Sequence, residues 1–348
     1  MSDFSSRLIA WQKVHGRHDL PWQNTTDPYA IWVSEIMLQQ TQVAAVIGYY
    51  GKFMQRFPDI ATLANATQEE VLQHWSGLGY YSRARNLHKA AITIVDAHGG
   101  KFPQDFDTIQ TLSGIGRSTA AAIASFAFSQ IQTILDGNVK RVLARHFLVE
   151  GWPSHPKIEK ELWARAENLL PEQEMIAYTQ GLMDLGATLC TRSKPKCDSC
   201  PLIDTCEAYN QQRVHQLPTP KPRKAIPEKH TTMLILMCGD EVMLEKRPPT
   251  GIWGGLWSFP EAENDNDVVD ISYSRFGISI HAQHALPKLI HAFTHFKLHI
   301  QPQRLTVLTS CTKVSEVAYL WINIDDAMGA AIPTPVRKIL QSLKMETL

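Results

Sequence analysis

Four cysteines crowd into residues 190–206 and constrain the fold of this chain more than any other feature. Cys190, Cys197, Cys200 and Cys206 follow the spacing C-x6-C-x2-C-x5-C. Disulfide loops this short are of little use, whereas thiolates this close in sequence can converge on one metal centre. Four sulfurs without a histidine suit either tetrahedral zinc or an iron–sulfur cluster. A zinc ribbon pairs two C-x2-C knuckles and this run has one, so the spacing favours a [4Fe–4S] cluster over zinc or free thiols.

Length and composition exclude several classes of protein. The 348 residues, 44% of them hydrophobic, are enough for two domains with ordinary cores. No apolar run approaches a membrane span and the N-terminus lacks a secretory signal, so we predict a cytoplasmic protein without a membrane partner. The net charge is zero, but basic residues cluster locally and predict a phosphate-binding surface. Three such groups are Arg83, Arg85 and Lys89; Lys140, Arg141 and Arg145; and Arg192, Lys194 and Lys196.

The pattern of apolar and polar residues changes twice along the chain. Residues 1–210, which include the cysteine run, show helical periodicity and few strand-like segments. Residues 211–229 are rich in proline, lysine and arginine and predict a semi-rigid basic linker. Residues 230–348 alternate in the manner of strands, with a hairpin signal at Gly239 and Asp240 and a closing helix over 335–343. The pattern predicts a multidomain protein, all-α first and α+β second.

One short segment, L-S-G-I-G-R-S-T at residues 112–119, lies between two predicted helices. Gly114 and Gly116 permit a tight reversal that side chains would block. The helix that follows then offers free amides and the positive end of its dipole to a phosphate. We therefore predict DNA-backbone contacts here, although a plain helix–helix turn is the simpler alternative. The residues concerned are Leu112, Gly114, Gly116, Arg117 and Ser118.

Two carboxylic acids stand out by their surroundings. Glu35 lies at helical spacing from the apolar residues Ile31 and Leu38, where desolvation would favour the protonated acid. Asp136 follows an apolar run and precedes an amphipathic segment, as an N-cap does. An exposed glutamate and an ordinary cap are the simpler alternatives for these two positions.

These pieces occur together, and in this order, in one family. The motifs that carry the likeness are L-P-W at 20–22, S-E-I-M-L-Q-Q-T-Q-V at 34–43, G-L-G-Y-Y at 77–81, L-D-G-N-V-K-R at 135–141, M-D-L-G-A at 183–187 and the cysteine run. Over nearly its whole length the chain resembles the MutY-type adenine DNA glycosylases of the endonuclease III superfamily. The resemblance implies a helix–hairpin–helix glycosylase domain with an iron–sulfur cluster loop. The segment at 112–119 resembles the hairpin itself, with Ser113 in place of the usual proline.

The resemblance also implies roles for individual residues. Glu35 would be the general acid, Asp136 the carboxylate that stabilises the sugar cation, and Asn138 its helper. Lyase relatives place a lysine where this chain has Ser118, so a monofunctional glycosylase that uses water is expected. The remaining implied roles are DNA contacts near the lesion for Gln40, Thr41 and Tyr80, an adenine pocket for Arg17, Trp22 and Gln180, and cluster ligation for the four cysteines.

The C-terminal part resembles the Nudix-like domain of the same family, through R-P-P at 247–249 and G-G-L-W-S-F-P at 254–260. A working Nudix hydrolase needs an R-E-x-x-E-E metal box, and none follows Pro260. The resemblance therefore implies a domain that recognises 8-oxoguanine. Thr294 and His295 match the segment that does so, although many relatives have serine at the threonine position.

The resemblance thus implies a base excision repair enzyme. It would act as a monomer on double-stranded DNA, and remove adenine opposite 8-oxoguanine or guanine to leave an apurinic site. Three alternatives remain open. An endonuclease III-like lyase is disfavoured by Ser118. A non-catalytic mismatch sensor is disfavoured by the presence of Glu35 and Asp136. A nucleotide hydrolase is disfavoured by the missing metal box.

Overall fold

The chain folds into two compact units. The computed structural model describes residues 2–222, 225–263, 267–307 and 318–346. The first unit comprises residues 1–65 and 86–223, and the second comprises residues 66–85 and 224–348. A segment from the middle of the helical part thus belongs to the same unit as the C-terminal residues.

Helices account for nearly all the regular structure of the first unit. In the described residues of both units, the α-helices are α1 Asp3–His15, α2 Pro28–Leu38, α3 Val43–Arg56, α4 Ile60–Asn65, α5 Gln68–Trp75, α6 Ser82–His98, α7 Phe106–Thr111, α8 Arg117–Phe128, α9 Gly137–His146, α10 Pro156–Glu167, α11 Met175–Asp184, α12 Glu207–Asn210, α13 Val268–Phe276, α14 Ile324–Gly329 and α15 Thr334–Glu346. Of these, α5, α13, α14 and α15 belong to the second unit. A π-helical turn, Leu185–Leu189, continues α11 toward the cysteine run. None of the helices in the described ranges is long and apolar enough to cross a membrane.

Local sequence signals determine where two functionally important helices begin. Asp27 caps α2 by accepting from the N–H of Tyr29, and Pro28 occupies the first turn, where its missing N–H costs nothing. Asp136 caps α9 by accepting from the N–H of Val139 at 2.8 Å. The cap expected at Asp136 is therefore present.

The core of the first unit forms where α1, α8, α9 and α11 meet. Leu8, Leu143 and Leu182 lie inside it with at most 2% of their surface exposed. Burying a leucine side chain stabilises a fold by roughly 1.5–3 kcal/mol. This packing holds α9, which follows Asp136, against α11, which carries Gln180.

A mixed sheet forms the framework of the second unit. Its strands are β1 Glu228–Cys238, β2 Glu241–Lys246, β3 Trp257–Ser258, β4 Glu261–Ala262, β5 Ile280–Ala285, β6 Leu289–Ala292, β7 Lys297–Val307 and β8 Tyr319–Asn323. The central order is β3-β2-β1-β7-β5, with β1 parallel to β7 and antiparallel to β2. The predicted hairpin around Gly239 is therefore confirmed, and the predicted closing helix corresponds to α15.

Candidate functional site

A cavity of about 490 Å³ opens in the first unit and collects four of the predicted site residues. Arg17, Trp22, Glu35 and Gln180 all contribute to its wall. Trp22 is packed edge-to-face against Tyr50, which fixes the indole at the cavity edge. The cavity therefore presents an apolar ring, an acid, an amide and a guanidinium to one space, the composition expected of a small-molecule or base-binding site.

A fully buried carboxylate orients two of these groups. Asp184 accepts from the Nε of Arg17 at 2.7 Å and from its backbone N–H at 2.9 Å. It also accepts from the Nε2 of Gln180 at 2.8 Å. Because Asp184 is completely buried, these donors provide the hydrogen bonds that its carboxyl group cannot obtain from water. The bond to the Gln180 amide nitrogen leaves the side-chain oxygen of Gln180 free to face the cavity as an acceptor.

The carboxyl group of Glu35 lies on the cavity wall in an apolar setting. Ile31 and Leu38, one turn before and after on α2, border the same cavity. Burial raises the pKa of Glu35 to about 8, and the nearby charge of Asp136 adds to the effect. Glu35 is thus protonated at neutral pH and can donate a proton to a group inside the cavity.

The pKa of the Asp136 carboxyl group is subject to two opposing effects. Burial raises the pKa of its carboxyl group, whereas the N–H groups of Val139 and Asn138 and the charge of Arg141 lower it. The side-chain amide of Asn138 donates to the same carboxylate at 3.3 Å. The two carboxyls therefore differ in environment, since Glu35 has apolar neighbours and Asp136 has hydrogen-bond donors. Asp136 and Asn138 do not line the cavity described above.

A chain of hydrogen bonds leads from Asp136 to the cysteine run. Arg141 donates to the Oδ1 of Asn138 at 2.8 Å, which fixes the amide so that its nitrogen faces Asp136. The same guanidinium donates to the backbone carbonyls of Gly186 and Cys190, both at 2.7 Å. Gly186 packs so closely on Asn138 that a Cβ there would lie 2.6 Å from the Cβ of Asn138.

The predicted hairpin is present at residues 112–119. Gly114 has φ +81° and lies against Asn86, where an added Cβ would be 2.8 Å from the Cβ of Asn86. Gly116 is the N-cap of α8 and has no side chain to satisfy the first amides of the helix. Leu112 is buried beneath the turn. The first amides of α8 therefore have no side-chain cap and suit an anion such as a phosphate, whereas the N–H of Ile115 donates to the carbonyl of Leu112 within the turn.

The next two residues of the hairpin already have partners within the protein. Arg117 forms an ion pair with Glu167 at 2.5 Å, and its guanidinium stacks 4.0 Å from the ring centre of Trp163. The hydroxyl of Ser118 accepts from the backbone N–H of Leu135 at 2.9 Å. A phosphate contact by Arg117 would have to compete with Glu167, whereas the position of Ser118 is determined by the segment that leads to Asp136.

The turn after α2 holds Gln40 and Thr41. Gln40 is exposed and has φ +56°, in the left-handed region that non-glycine residues rarely adopt. Thr41 donates from its backbone N–H to the carbonyl of Leu38 at 3.2 Å, which closes the turn. A strained and exposed glutamine at the tip of a turn is typical of a functional position.

The four cysteines surround a separate cavity of about 30 Å³ in the first unit. The guanidinium of Arg145 donates to the Sγ of Cys190 at 3.3 Å and to the carbonyl of Thr191 at 2.7 Å. Burial raises the pKa of the Cys200 thiol to about 12, and it also raises the pKa of Cys197 and Cys206. In the described part of the chain, no three His, Cys, Asp or Glu side chains converge tightly enough to hold a single metal ion.

The second unit has its own cavity, of about 520 Å³. Tyr80, Thr294 and His295, all predicted to contact DNA, line it together with Trp253. Tyr80 is 42% exposed and has φ +50°. Its ring lies 5.4 Å from the guanidinium carbon of Arg83. The structure therefore brings two predicted 8-oxoguanine contacts and a predicted DNA contact to one space.

The sequence predicts no specific role for Asp184, and for Arg141 and Arg145 it predicts only membership of a phosphate-binding cluster. That prediction is wrong for Arg145, whose side chain is buried and donates to protein carbonyls. Asp184 could have been found as a lone carboxylate within an apolar helical segment, four residues after Gln180. The two arginines carried only the signal of a basic cluster. Their partners are backbone carbonyls distant in sequence, which no local pattern reveals.

Comparisons with known proteins indicate the family of each part of the chain. Residues 33–168 match the family described as HhH-GPD superfamily base excision DNA repair protein, and residues 231–342 match the NUDIX domain family. A protein named adenine DNA glycosylase from Buchnera aphidicola subsp. Baizongia pistaciae is 38% identical, with 98% of this chain and 97% of that protein covered. Its namesake from Mus musculus is 33% identical, with 97% and 77% covered.

Solved structures extend the comparison to the helical part. A thermostable thymine-DNA glycosylase is 30% identical with a TM-score of 0.54, covering 60% of this chain and 95% of its own. An endonuclease III–DNA complex is 22% identical with a TM-score of 0.51, covering 60% and 94%, and shows a common fold. The predicted fold class, a helix–hairpin–helix glycosylase followed by a Nudix-like domain, is thus confirmed.

Proposed function

The chain belongs to the adenine DNA glycosylases, hydrolases of base excision repair, and we propose that it removes adenine paired with 8-oxoguanine or guanine and leaves an apurinic site. The observation that supports this best is the acid Glu35, whose pKa is raised to about 8 by burial, on the wall of a cavity shared with Arg17, Trp22 and Gln180. The enzyme is proposed to act as a monomer on duplex DNA, because every proposed catalytic group lies in one chain.

Adenine must leave the base stack before it can reach this cavity. Flipping a base costs a few kcal/mol, and less at a mismatch, which contributes to selectivity. The Gln180 side-chain oxygen, held as an acceptor by Asp184, suits the 6-amino group of adenine. Trp22 offers an aromatic surface beside it. Guanine carries an acceptor oxygen at the same ring position, so the proposed contact would disfavour it.

Glu35 would act as the general acid. It would donate its proton to N7 of the flipped adenine, which makes the base a better leaving group. The C1′–N9 bond then breaks with its electron pair moving to the base, and the sugar becomes oxocarbenium-like. The raised pKa of Glu35 keeps this proton available at neutral pH.

Asp136 would stabilise the sugar cation as an anion or through a short-lived covalent adduct, as paired carboxylates do in glycosidases. The donors Val139 N–H and Asn138 Nδ2 favour its ionised form. A water molecule then adds to C1′ and loses a proton, which gives the apurinic site. Ser118 provides no amine for a Schiff base, so the DNA strand would remain intact.

The second-unit cavity would recognise the opposite base. Thr294 provides a hydroxyl and His295 a ring nitrogen, both exposed at the cavity lined by Tyr80. Tyr80 and Gln40, each with a positive φ, would fill the space left in the duplex near the lesion. A hydroxyl–base hydrogen bond that guanine cannot match would then favour 8-oxoguanine.

The cysteines would hold a [4Fe–4S] cluster. Four sulfurs around a cavity, rather than around one point, suit a group larger than a single ion. Their raised thiol pKa values favour the neutral form, so the bound iron would have to supply the positive charge that deprotonates them. When bound, the cluster would hold the loop 190–206 in place. Arg192, Lys194 and Lys196 of that loop would then contact the DNA backbone.

The test is single-turnover adenine release from a duplex with one A·8-oxoguanine pair, beside A·G and A·T duplexes. We expect release from the two mispairs only, with strand breakage appearing only after alkali. Binding without base release would contradict the proposed chemistry. Breakage without alkali would contradict the monofunctional assignment.

A further inference from the structure

The short segment 66–85 packs with residues far away in sequence. It belongs to the second unit, and Val71, Leu72 and Trp75 on its helix α5 are buried. Leu72 lies against Gly255, where an added Cβ would be 3.3 Å from the Cδ1 of Leu72. Gly255 also has φ +79°, so a larger residue there would be strained as well as crowded.

Glu69 is the polar centre of this packing. Its Oε1 accepts from the indole Nε1–H of Trp257 at 2.5 Å, and its Oε2 accepts from Lys246 at 2.8 Å. The ammonium group of Lys246 also lies 4.6 Å from the ring centre of Trp257. An exposed ion pair alone contributes little to stability, but here both carboxylate oxygens are engaged by donors from adjacent strands, β2 and β3.

The end of α5 is held by a second group of contacts. Ser76 Oγ donates to the carbonyl of Ile332 at 3.0 Å and accepts from Arg337 at 3.2 Å. Gln73 donates to the carbonyl of Gly329 at 2.6 Å. Beyond the turn, Arg85 donates to the carbonyl of Gly254 at 2.7 Å. The segment is thus fixed to the Nudix-like part on both sides of Tyr80.

Tyr80 lies at the tip of the segment that these contacts hold. Its guanidinium neighbour Arg83 donates to the carbonyl of Gly79 at 3.1 Å and lies 5.4 Å from the rings of Tyr80 and Trp75. Tyr80 and Arg85 line the same cavity as Thr294. One wall of that cavity is therefore formed by the segment that follows α5 and that the contacts of α5 and Arg85 attach to the rest of the second unit.

We infer that Glu69 is a positioning residue for recognition of the opposite base: with Trp257 and Lys246 it fixes α5, and hence Tyr80, at the distance from Thr294 and His295 that favours 8-oxoguanine over guanine. This inference rests on the proposed function. It assigns to the Nudix-like part a second task, which is to hold the Tyr80 wall of the cavity as well as to provide the Thr294 wall. Glu69 touches neither substrate nor reacting atoms.

The test compares Glu69→Gln, Trp257→Phe and the double variant in the full-length protein. Glu263→Gln, an exposed glutamate of the same unit, is the matched control. The rate of single-turnover release from the A·8-oxoguanine duplex, divided by the rate from the A·G duplex, should fall about fivefold to tenfold in Glu69→Gln. A decrease of this size corresponds to the loss of one charged hydrogen bond. The A·G rate should stay unchanged. Hydrogen exchange across 66–85 should become faster.

The double variant should lose no more than Glu69→Gln alone, because that change already weakens the Glu69–Trp257 contact that Trp257→Phe removes. If the wild-type enzyme prefers 8-oxoguanine and Glu69→Gln has the same rate ratio as the wild type, this inference is overturned and the proposed function stands. Faster exchange with an equal loss on both duplexes would also overturn it, since α5 would then serve stability alone. Failure of the wild-type enzyme to release adenine would overturn the proposed function itself.

Discussion

Arg141 donates a 2.7 Å hydrogen bond to the backbone carbonyl of Cys190, the first of the four cysteines. The same guanidinium donates to the side-chain oxygen of Asn138, whose nitrogen in turn donates to Asp136. The loop that bears the cysteines is thereby connected to a proposed catalytic carboxylate through one planar, multidentate group. A lysine has a single nitrogen and cannot make these bonds in the same directions.

We therefore expect Arg141→Lys to slow adenine release. With the orientation of Asn138 lost, Asp136 loses a donor that favours its anion, and a decrease of about tenfold corresponds to one such hydrogen bond. Single-turnover rates under saturating enzyme measure it. Arg165→Lys, a change in an exposed arginine of the same unit, is the control and should have no effect. An undiminished rate in Arg141→Lys would show that the connection does not matter to the chemistry.

The pH dependence of adenine release should follow both carboxyls. Glu35 must be protonated, so the rate should be high below its pKa of about 8 and fall as the pH rises through it. Asp136 must be ionised, so the rate should also fall as the pH drops through its raised pKa. Glu35→Gln should abolish release. A profile without any loss on the alkaline side would contradict the assignment of Glu35 as the acid.

Glu35 should also make the stability of the protein depend on pH. In the unfolded chain its pKa is 4.5, and in the folded protein burial raises it to about 8. Below pH 4.5 both states hold the proton. Between 4.5 and 8 the unfolded state loses it first, so the free energy of unfolding declines. Glu35→Gln removes this decline and should stabilise the protein at pH 8 by on the order of 4 kcal/mol, at about 1.4 kcal/mol per pKa unit.

Chemical denaturation of the first unit at pH 5 and pH 8 measures this effect. The gain of Glu35→Gln over wild type should be small at pH 5 and large at pH 8. Equal differences at both pH values would mean that Glu35 is not desolvated in the folded protein.

Local sequence signals were sufficient for the parts of the site that depend on neighbours in the chain. The cap Asp136, the turn at Gly114 and the acid Glu35 among apolar residues all follow from spacing of four residues or fewer. The order of the motifs along the chain then indicated the family, and with it the fold class.

Contacts between distant residues could not be predicted in this way. Glu69 and Trp257 are separated by 188 residues, yet their side chains are hydrogen-bonded within the second unit, to which 66–85 belongs. Arg145 is buried because its five hydrogen bonds go to the segment 190–217, mostly to backbone carbonyls that have no sequence signature. Such partners become visible only once tertiary packing is known.

The ion pair of Asp184 and Arg17 gives a further prediction. Asp184→Asn leaves a largely buried guanidinium without its counter-charge and should lower the free energy of unfolding by about 3 kcal/mol. It should also reduce adenine release, because the Gln180 amide is then free to rotate. Discrimination between adenine and purine, which lacks the 6-amino group, should shrink in the variant. Glu172→Gln, at an exposed site of the same unit, should alter neither stability nor discrimination.

Ser118 offers the sharpest test of the monofunctional assignment. Its hydroxyl accepts from Leu135, the residue before Asp136, so a lysine placed here would bring an amine toward the proposed catalytic carboxylate. The Nζ of Lys140 forms an ion pair with Glu159 at 2.6 Å, so an attack by this amine would first have to break that pair. We expect Ser118→Lys to add its amine to the C1′ aldehyde of the apurinic site with loss of water, and to break the strand by elimination of the 3′ phosphate.

Two measurements follow the gain of lyase activity in Ser118→Lys: strand breakage without alkali, and a covalent protein–DNA adduct after borohydride reduction. Ser118→Ala is the matched control, since it removes the acceptor for Leu135 without adding an amine. Because it loses one hydrogen bond, Ser118→Ala should slow adenine release by up to about tenfold. It should give no adduct. If Ser118→Lys still releases adenine but forms no adduct, then residue 118 lies too far from the sugar, and the explanation of the intact strand by Ser118 fails.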